Sequence, residues 1–322
     1  MSRKPSDFII SVVVPAYNEE KNIAPLCEEL RDVLEGIGNY EIIIVDDGSS
    51  DNTYEQIKKQ TASGDVKAIG LNRNFGKGAA LNAGIGQANG KFIVTMDADL
   101  QDDPNEIPKL LDRIRDTDED MIVGWKFDRK DSLAKIIPSK IFNFLVRLFT
   151  GIELHDIDSN LRIFTQKVKD HLDVYGGHYR YIPVIADSKG FKVGEKRVRH
   201  RKRQYGRSKW GFGRLVKGFF DLLTIKYLTS YSNRPLHPFG LLGGFVFSSG
   251  FVIGSYLLFV KFAQGQPIGD RPLLLLGILM MIMGMQWISI GLLSEFFRYN
   301  RRKEIKDYVI SEIIDDKDKS DH

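Results

Sequence analysis

Two uninterrupted apolar runs constrain this chain more than any other feature. Phe239–Val260 and Leu273–Ser294 each extend over 22 residues without a charged side chain. As helices rising 1.5 Å per residue, each would be about 33 Å long, enough to cross a hydrocarbon core of roughly 30 Å. Between them, Gln264-Gly265-Gln266-Pro267-Ile268-Gly269 has the composition of a turn, so a two-helix transmembrane hairpin is expected. Arg234, Arg298, Arg301, Arg302 and Lys303 flank its two-ended side, against Lys261, Asp270 and Arg271 at the turn. That bias places the flanking regions and both termini in the cytoplasm. A hairpin folded into a soluble core is the alternative, and charge-free runs of this length argue against it.

The remainder is different in kind. The mean hydropathy of −0.21 averages an apolar 239–294 with a mixed, charged 1–230, and the net charge of +4 matters less than its placement. The single cysteine, Cys27, excludes an internal disulfide and is expected in helix packing. Met1-Ser2-Arg3-Lys4-Pro5 leads straight toward a strand with no secretory pattern, again pointing to a cytoplasmic catalytic part. Strands are expected at Phe8–Val14 (closed by Pro15), Glu41–Val45, Val66–Gly70, Phe92–Met96 and Met121–Trp125. Helices fall between them, the first opening at Asn18-Glu19-Glu20 and ending near Leu34 and Gly36. Such alternation implies an α/β parallel sheet, whose ligands sit at the carboxyl ends of its strands.

Polar clusters follow three of those strands. After Met96 comes Asp97-Ala98-Asp99-Leu100-Gln101-Asp102-Asp103-Pro104. If the strand continues, Asp97, Asp99 and Gln101 project to one face, since side chains alternate with period 2. Hard oxygens of this kind suit Mg²⁺ or Mn²⁺ and leave positions open for phosphate, so the stretch reads as a metal site holding a nucleotide diphosphate. Asp102 and Asp103 read instead as a helix N-terminus, with Pro104 in the first turn. The first strand is followed by Pro15-Ala16-Tyr17-Asn18-Glu19-Glu20, without the glycines of a dinucleotide fingerprint, and Gly76-Lys77-Gly78 lacks the Ser/Thr of a P-loop.

Four motifs together resemble family 2 glycosyltransferases with the GT-A fold, and closely their polyprenyl-phosphate branch, the dolichyl-phosphate mannose synthases and bactoprenol glucosyltransferases. They are Val14-Pro15-Ala16-Tyr17-Asn18-Glu19-Glu20, Asp46-Asp47-Gly48-Ser49-Ser50-Asp51, Asn74-Phe75-Gly76-Lys77-Gly78 and the Asp97–Pro104 stretch. The resemblance covers roughly residues 8–210. It implies a Rossmann-like, mainly parallel catalytic domain over residues 1–210; beyond it, hydropathy and charge give an amphipathic juxtamembrane helix over 211–235, the hairpin over 236–296 and a C-terminal helix and tail over 297–322. It further implies a membrane protein, of a bacterial plasma membrane, that moves a sugar from a nucleotide diphosphate to a polyprenyl phosphate. By the same resemblance Pro15, Tyr17, Glu19 and Asp46 line the base and ribose pocket, and Asp97 lies by ribose and diphosphate. Asp47, Lys77, Ala98 and Arg129 join the substrate-binding set. Asp99 and Gln101, with Asp97, ligate the metal.

Downstream, His155-Asp156-Ile157-Asp158-Ser159-Asn160-Leu161-Arg162 carries the Asp-x-x-Ser spacing of the family's acceptor-side acid, matched by Asp156, with Asp158 as the alternative. A phosphate acceptor is already ionised, so this carboxylate orients the acceptor or stabilises positive charge on the sugar. Lys196–Lys209 holds eight Lys or Arg in fourteen residues. Its end matches the family's Arg-x-x-Gly-x-Ser-Lys element, so Arg203, Ser208 and Lys209 are expected on phosphate, Arg203 also with a catalytic part. No nucleic-acid motif accompanies the run, so its other cations are assigned to anionic headgroups. Leu133–Phe149 is a basic amphipathic segment, suited equally to a membrane surface and to docking on the sheet. The six histidines show no metal-ligand spacing.

UDP-glucose is the donor favoured by the hairpin architecture, with GDP-mannose as the alternative, and self-association is suggested by the resemblance. A processive polysaccharide synthase would need a Gln-x-x-Arg-Trp motif that the chain lacks; an inactive scaffold is disfavoured by intact Asp97, Asp99 and Gln101.

Overall fold

The computed structural model describes residues 8–127, 143–172, 176–201, 221–231 and 235–301. The chain divides into two compact units, Met1–Lys226 and Tyr227–His322.

The first unit is built on a mixed sheet of seven strands in the order β3-β2-β1-β4-β6-β5-β7. These are β1 Ile10–Ala16, β2 Tyr40–Asp46, β3 Val66–Gly70, β4 Phe92–Thr95, β5 Met121–Lys126, β6 Arg162–Thr165 and β7 Val193–Val198. Parallel pairing joins β3, β2, β1 and β4, and also β5 with β7, whereas β6 runs antiparallel to both its neighbours. The apolar runs form strands because sheet faces covered by helices leave no room for polar alternation. Val12, Val14, Ile42, Ile44, Val94 and Ile163 form one core with Leu26, Leu30 and Leu34 of α1 (Ile23–Leu34) and Leu110 and Ile114 of α4 (Ile107–Asp116). Helices α2 (Thr53–Gln60) and α3 (Lys77–Gly86) complete the crossovers.

Two boundaries differ from expectation. Pro15 does not close β1, which runs on to Ala16 paired with Asp46. The β4 side of the ladder stops at Val13, so the N–H that proline lacks has no partner to miss there. Asn18-Glu19-Glu20 is not the first helical turn either. Asn18 takes φ +56°, and the helix starts only after Asn22, because residues 18–20 are tied sideways to the loop after β2.

Cys27 is fully buried on the inner face of α1, and burial pushes its thiol up to about 11. Only thiolate reacts with alkylating agents. Native protein at pH 8 should therefore resist iodoacetamide at Cys27 and react in denaturant; rapid native labelling would contradict this packing.

The second unit contains two long antiparallel-connected helices, α6 (Leu236–Gln264) and α7 (Pro272–Arg301), α5 being Ile182–Ser188 of the first unit. Both are long and apolar enough to cross a membrane. Leu241, Phe245, Phe262 and Leu275 are each more than two-thirds exposed, so these are not the faces of a soluble core. The charged segment expected from Glu295 continues α7 without a break as far as Arg301. Glycines seven residues apart, Gly243 and Gly250 against Gly277, Gly284 and Gly291, set how the pair packs. A Cβ on Gly284 would lie 2.5 Å from the Phe247 nitrogen and 2.6 Å from the Gly243 oxygen, so backbones touch where side chains would hold them apart. Gly284→Leu should destabilise the hairpin by about 1–3 kcal/mol. Thermal unfolding in detergent reads this, with Gly244→Leu, which meets nothing within 4 Å, as the silent comparison.

Candidate active site

The loops after β1, β2 and β4 meet at one edge of the sheet, and hydrogen bonds between them, not strand geometry alone, fix their shape. Ser49 Oγ accepts from the Asn18 amide at 2.9 Å, Asn18 Oδ1 accepts from the Ser50 amide at 2.9 Å, and Thr53 Oγ1 accepts from the Glu19 amide at 2.8 Å. Asp46 is buried and accepts from the Ser49 amide and hydroxyl. Asp47, counted among substrate ligands by sequence, makes hydrogen bonds within the protein. Its oxygens accept from the amides of Phe75 at 2.8 Å and Gly76 at 3.0 Å, so it shapes the loop entering α3. Gly48 permits this: at φ +64°, a Cβ would strike the Arg73 carbonyl carbon at 2.3 Å. Pro15 and Ala98 are also buried, so they offer a ligand little beyond backbone and shape.

The acidic turn corrects one expectation. Strand β4 ends at Thr95, and residues 98–99 turn, with Leu100 at φ +59°, a region costly for a bulky side chain. Alternation along a strand therefore does not orient Asp97, Asp99 and Gln101; a strained turn does. Asp97 pairs with the Lys77 ammonium and accepts from Asn160 Nδ2 at 2.7 Å. Asp99 is 8% exposed and accepts from the Gln101 amide at 3.2 Å. Among the described residues, no three His, Cys, Asp or Glu side chains converge as a cation cage. Mg²⁺ commonly takes only one or two carboxylates and fills its octahedron with phosphate oxygens and water. Asp97, Asp99 and the Gln101 amide fit that donor chemistry.

Asp103 caps the helical turn at Pro104–Glu106, accepting from the Asn105 amide at 3.0 Å, as its position before proline suggests. Asp102 does not cap. It is buried, and burial pushes its carboxyl up; Lys126 at 3.2 Å, His200 and the Asp97 amide outweigh that and hold it below the usual carboxylate range.

Two further segments reach this edge only through the fold. Because β6 is antiparallel, its first residue, Arg162, lies opposite Thr95 at the end of β4. The preceding loop therefore arrives beside the acidic turn, with Thr95 Oγ1 donating to the Asn160 carbonyl at 2.8 Å. Arg162, not singled out from sequence, is 1% exposed and donates to the carbonyls of Ser159 at 2.5 Å, Tyr179 at 2.7 Å and Ile157 at 3.3 Å. Burial pulls its guanidinium down to about 10 while Asp158, Asp156 and Asp97 push it back. A lone Arg opening a short apolar strand was the available signal. Of the two candidate acids, Asp156 is 2% exposed; Asp158 has a side chain 42% exposed and lies 3.5 Å from Arg180. Beyond β7, His200 forms an antiparallel bridge with Asp102. Arg129, Arg203, Ser208 and Lys209 lie outside the described residues.

Comparison with known proteins agrees with this architecture. A family model, glycosyl transferase family 2, matches residues 11–172. The dodecaprenyl-phosphate galacturonate synthase of Rhizobium johnstonii is 36% identical over 95% of this chain and 93% of that protein. The undecaprenyl-phosphate 4-deoxy-4-formamido-L-arabinose transferase of Shewanella sediminis is 33% identical over 95% and 94%. Among solved structures, the fold resembles glucosyl-3-phosphoglycerate synthase from Mycobacterium tuberculosis in complex with Mn²⁺, UDP-glucose and phosphoglyceric acid. There the TM-score is 0.54 at 16% identity, covering 69% of this chain and 79% of that one.

Proposed function

We propose, from the premise that this chain belongs to glycosyl transferase family 2 and is a polyprenyl-phosphate glycosyltransferase with the GT-A fold, that it transfers a hexose from a UDP-sugar to a polyprenyl phosphate. The observation that carries this reading is the convergence of Asp46, Lys77, Asp97, Asp99 and Asn160 on one sheet edge, contributed by loops from four different strands. Tyr17, Glu19 and Asp46 would hydrogen-bond the base and ribose, and Asp97 the ribose and diphosphate. Asp99 and Gln101, with Asp97, would hold Mg²⁺ or Mn²⁺, which when bound offsets charge on the diphosphate. Lys77 supplies a cation at the same place.

The acceptor phosphate oxygen attacks the anomeric carbon as the bond to the donor diphosphate breaks. The nucleoside diphosphate leaves and the configuration inverts, without a covalent enzyme intermediate. The acceptor is already an anion, so no strong base is needed. The partly exposed Asp158, steadied by Arg180, is better placed than buried Asp156 to orient it or to stabilise developing positive charge. Arg203, Ser208 and Lys209 grip phosphate, and Arg129 joins them. The acceptor is a lipid, and α6 and α7 provide a membrane anchor with the catalytic unit on the cytoplasmic side. Phe144, Arg147 and Leu148, exposed on helical residues 143–150, support a face against the bilayer surface.

UDP-glucose remains the first donor to try; the relative named for galacturonate favours a uronic acid as a second reading. Purified protein in detergent with Mg²⁺ or Mn²⁺ and polyprenyl phosphate should be offered UDP-glucose, UDP-galacturonate, UDP-4-deoxy-4-formamido-L-arabinose and GDP-mannose. Lipid-linked product from UDP-glucose or UDP-galacturonate, abolished by chelator, is the expected result. Product on a soluble oligosaccharide instead, or with no metal, would overturn the reading.

A further inference from the structure

We propose that His200 is a positioning residue that decides which end of the Gln101 amide faces the acidic turn. The inference rests on the reading of Gln101 as a metal ligand, and it starts from hydrogen-bond chemistry. Gln101 Nε2 lies 3.4 Å from the Arg201 carbonyl oxygen and 3.4 Å from His200 Nε2. A carbonyl can only accept, so the amide's NH₂ end is the end turned toward β7. His200 Nε2 must then accept as well, which puts the ring proton on Nδ1. That nitrogen is buried, has no hydrogen-bond partner among the described residues, and lies 3.7 Å from Asp102 Oδ1. The distance is long for a hydrogen bond, yet the anionic carboxylate electrostatically favours the proton on that side. Asp102 thereby favours the tautomer whose Nε2 accepts, that nitrogen and the Arg201 carbonyl together hold the NH₂ end, and Gln101 Oε1 is left at the amide's other end.

The ring is itself held. His200 bridges to Asp102 through the backbone, the Arg201 amide donates to the Gln101 carbonyl at 2.8 Å, and the Arg201 guanidinium binds Glu29 at 2.6 Å and Asp103 at 2.7 Å. A glutamine on its own presents oxygen or NH₂ with nearly equal ease, and only the oxygen can face a cation. Partners behind metal ligands commonly change metal affinity by about 10–100-fold when removed.

The test measures binding of UDP and of GDP to the full-length protein by calorimetry, with Mn²⁺ and with chelator. His200→Leu should lose about tenfold of the metal-dependent gain in affinity while the chelator value and the melting temperature stay near those of the parent. His200→Gln returns an acceptor to the Nε2 position and should restore most of the gain. A full gain in His200→Leu alongside a lost gain in Gln101→Ala would overturn the positioning role alone. A Gln variant as weak as the Leu variant would overturn it too. No metal-dependent gain in the parent protein would overturn the metal reading, and this proposal with it.

Discussion

Asp99→Ala is expected to lower turnover by at least about 10²–10³-fold while the protein still folds and inserts. Asp99 is nearly buried in the turn after β4, where it accepts from the Gln101 amide, and it is not among the apolar residues of the sheet core. On the proposed metal reading, what disappears is a hard oxygen for the cation, in a place where Asp97 is already engaged by Lys77 and Asn160. The remaining donors then cannot offset the charge that builds on the leaving group. Steady-state transfer to polyprenyl phosphate over a Mn²⁺ series checks this, with circular dichroism as the folding control. Activity close to that of the parent would remove Asp99 from the metal set.

Arg162→Met should act on stability, removing about 3–5 kcal/mol and roughly 10 °C of melting temperature. The guanidinium is buried and holds three backbone carbonyls at once, from Ile157, Ser159 and Tyr179. Methionine fills the volume but leaves those acceptors dry, each at a cost of about 1–3 kcal/mol before relaxation. It also strips the positive field from Asp158, Asp156 and Asp97. Lysine keeps the charge without the planar fork, so Arg162→Lys should fall between the two. A loss of less than about 1 kcal/mol by denaturant titration would mean that the segments on either side of Arg162 stand without it.

These two residues differ in how visible they were beforehand. Asp99 sits in a motif of adjacent residues directly after an apolar run, and motif and run are both local. The parallel strands, the helices between them and the hairpin helices were legible for the same reason. The structural part of Asp47 was not legible because its carboxylate meets the amides of Phe75 and Gly76, 28 and 29 residues away, and nothing in Asp-Gly-Ser-Ser announces that contact. Period-2 alternation failed at Asp97–Gln101 because Leu100 adopts a left-handed conformation that leucine rarely takes.

From its own order of residues the chain determines an α/β catalytic unit, acidic clusters at the carboxyl ends of strands, and two charge-free helices, since each depends on neighbours a few positions apart. Tertiary structure alone decided that β6 runs backward, which carries Asn160 to Asp97 across 63 residues. It alone brought His200 to Gln101 across 99. Strand direction and cross-sheet partners are chosen by burying the whole set of strands together, and no local period encodes that choice.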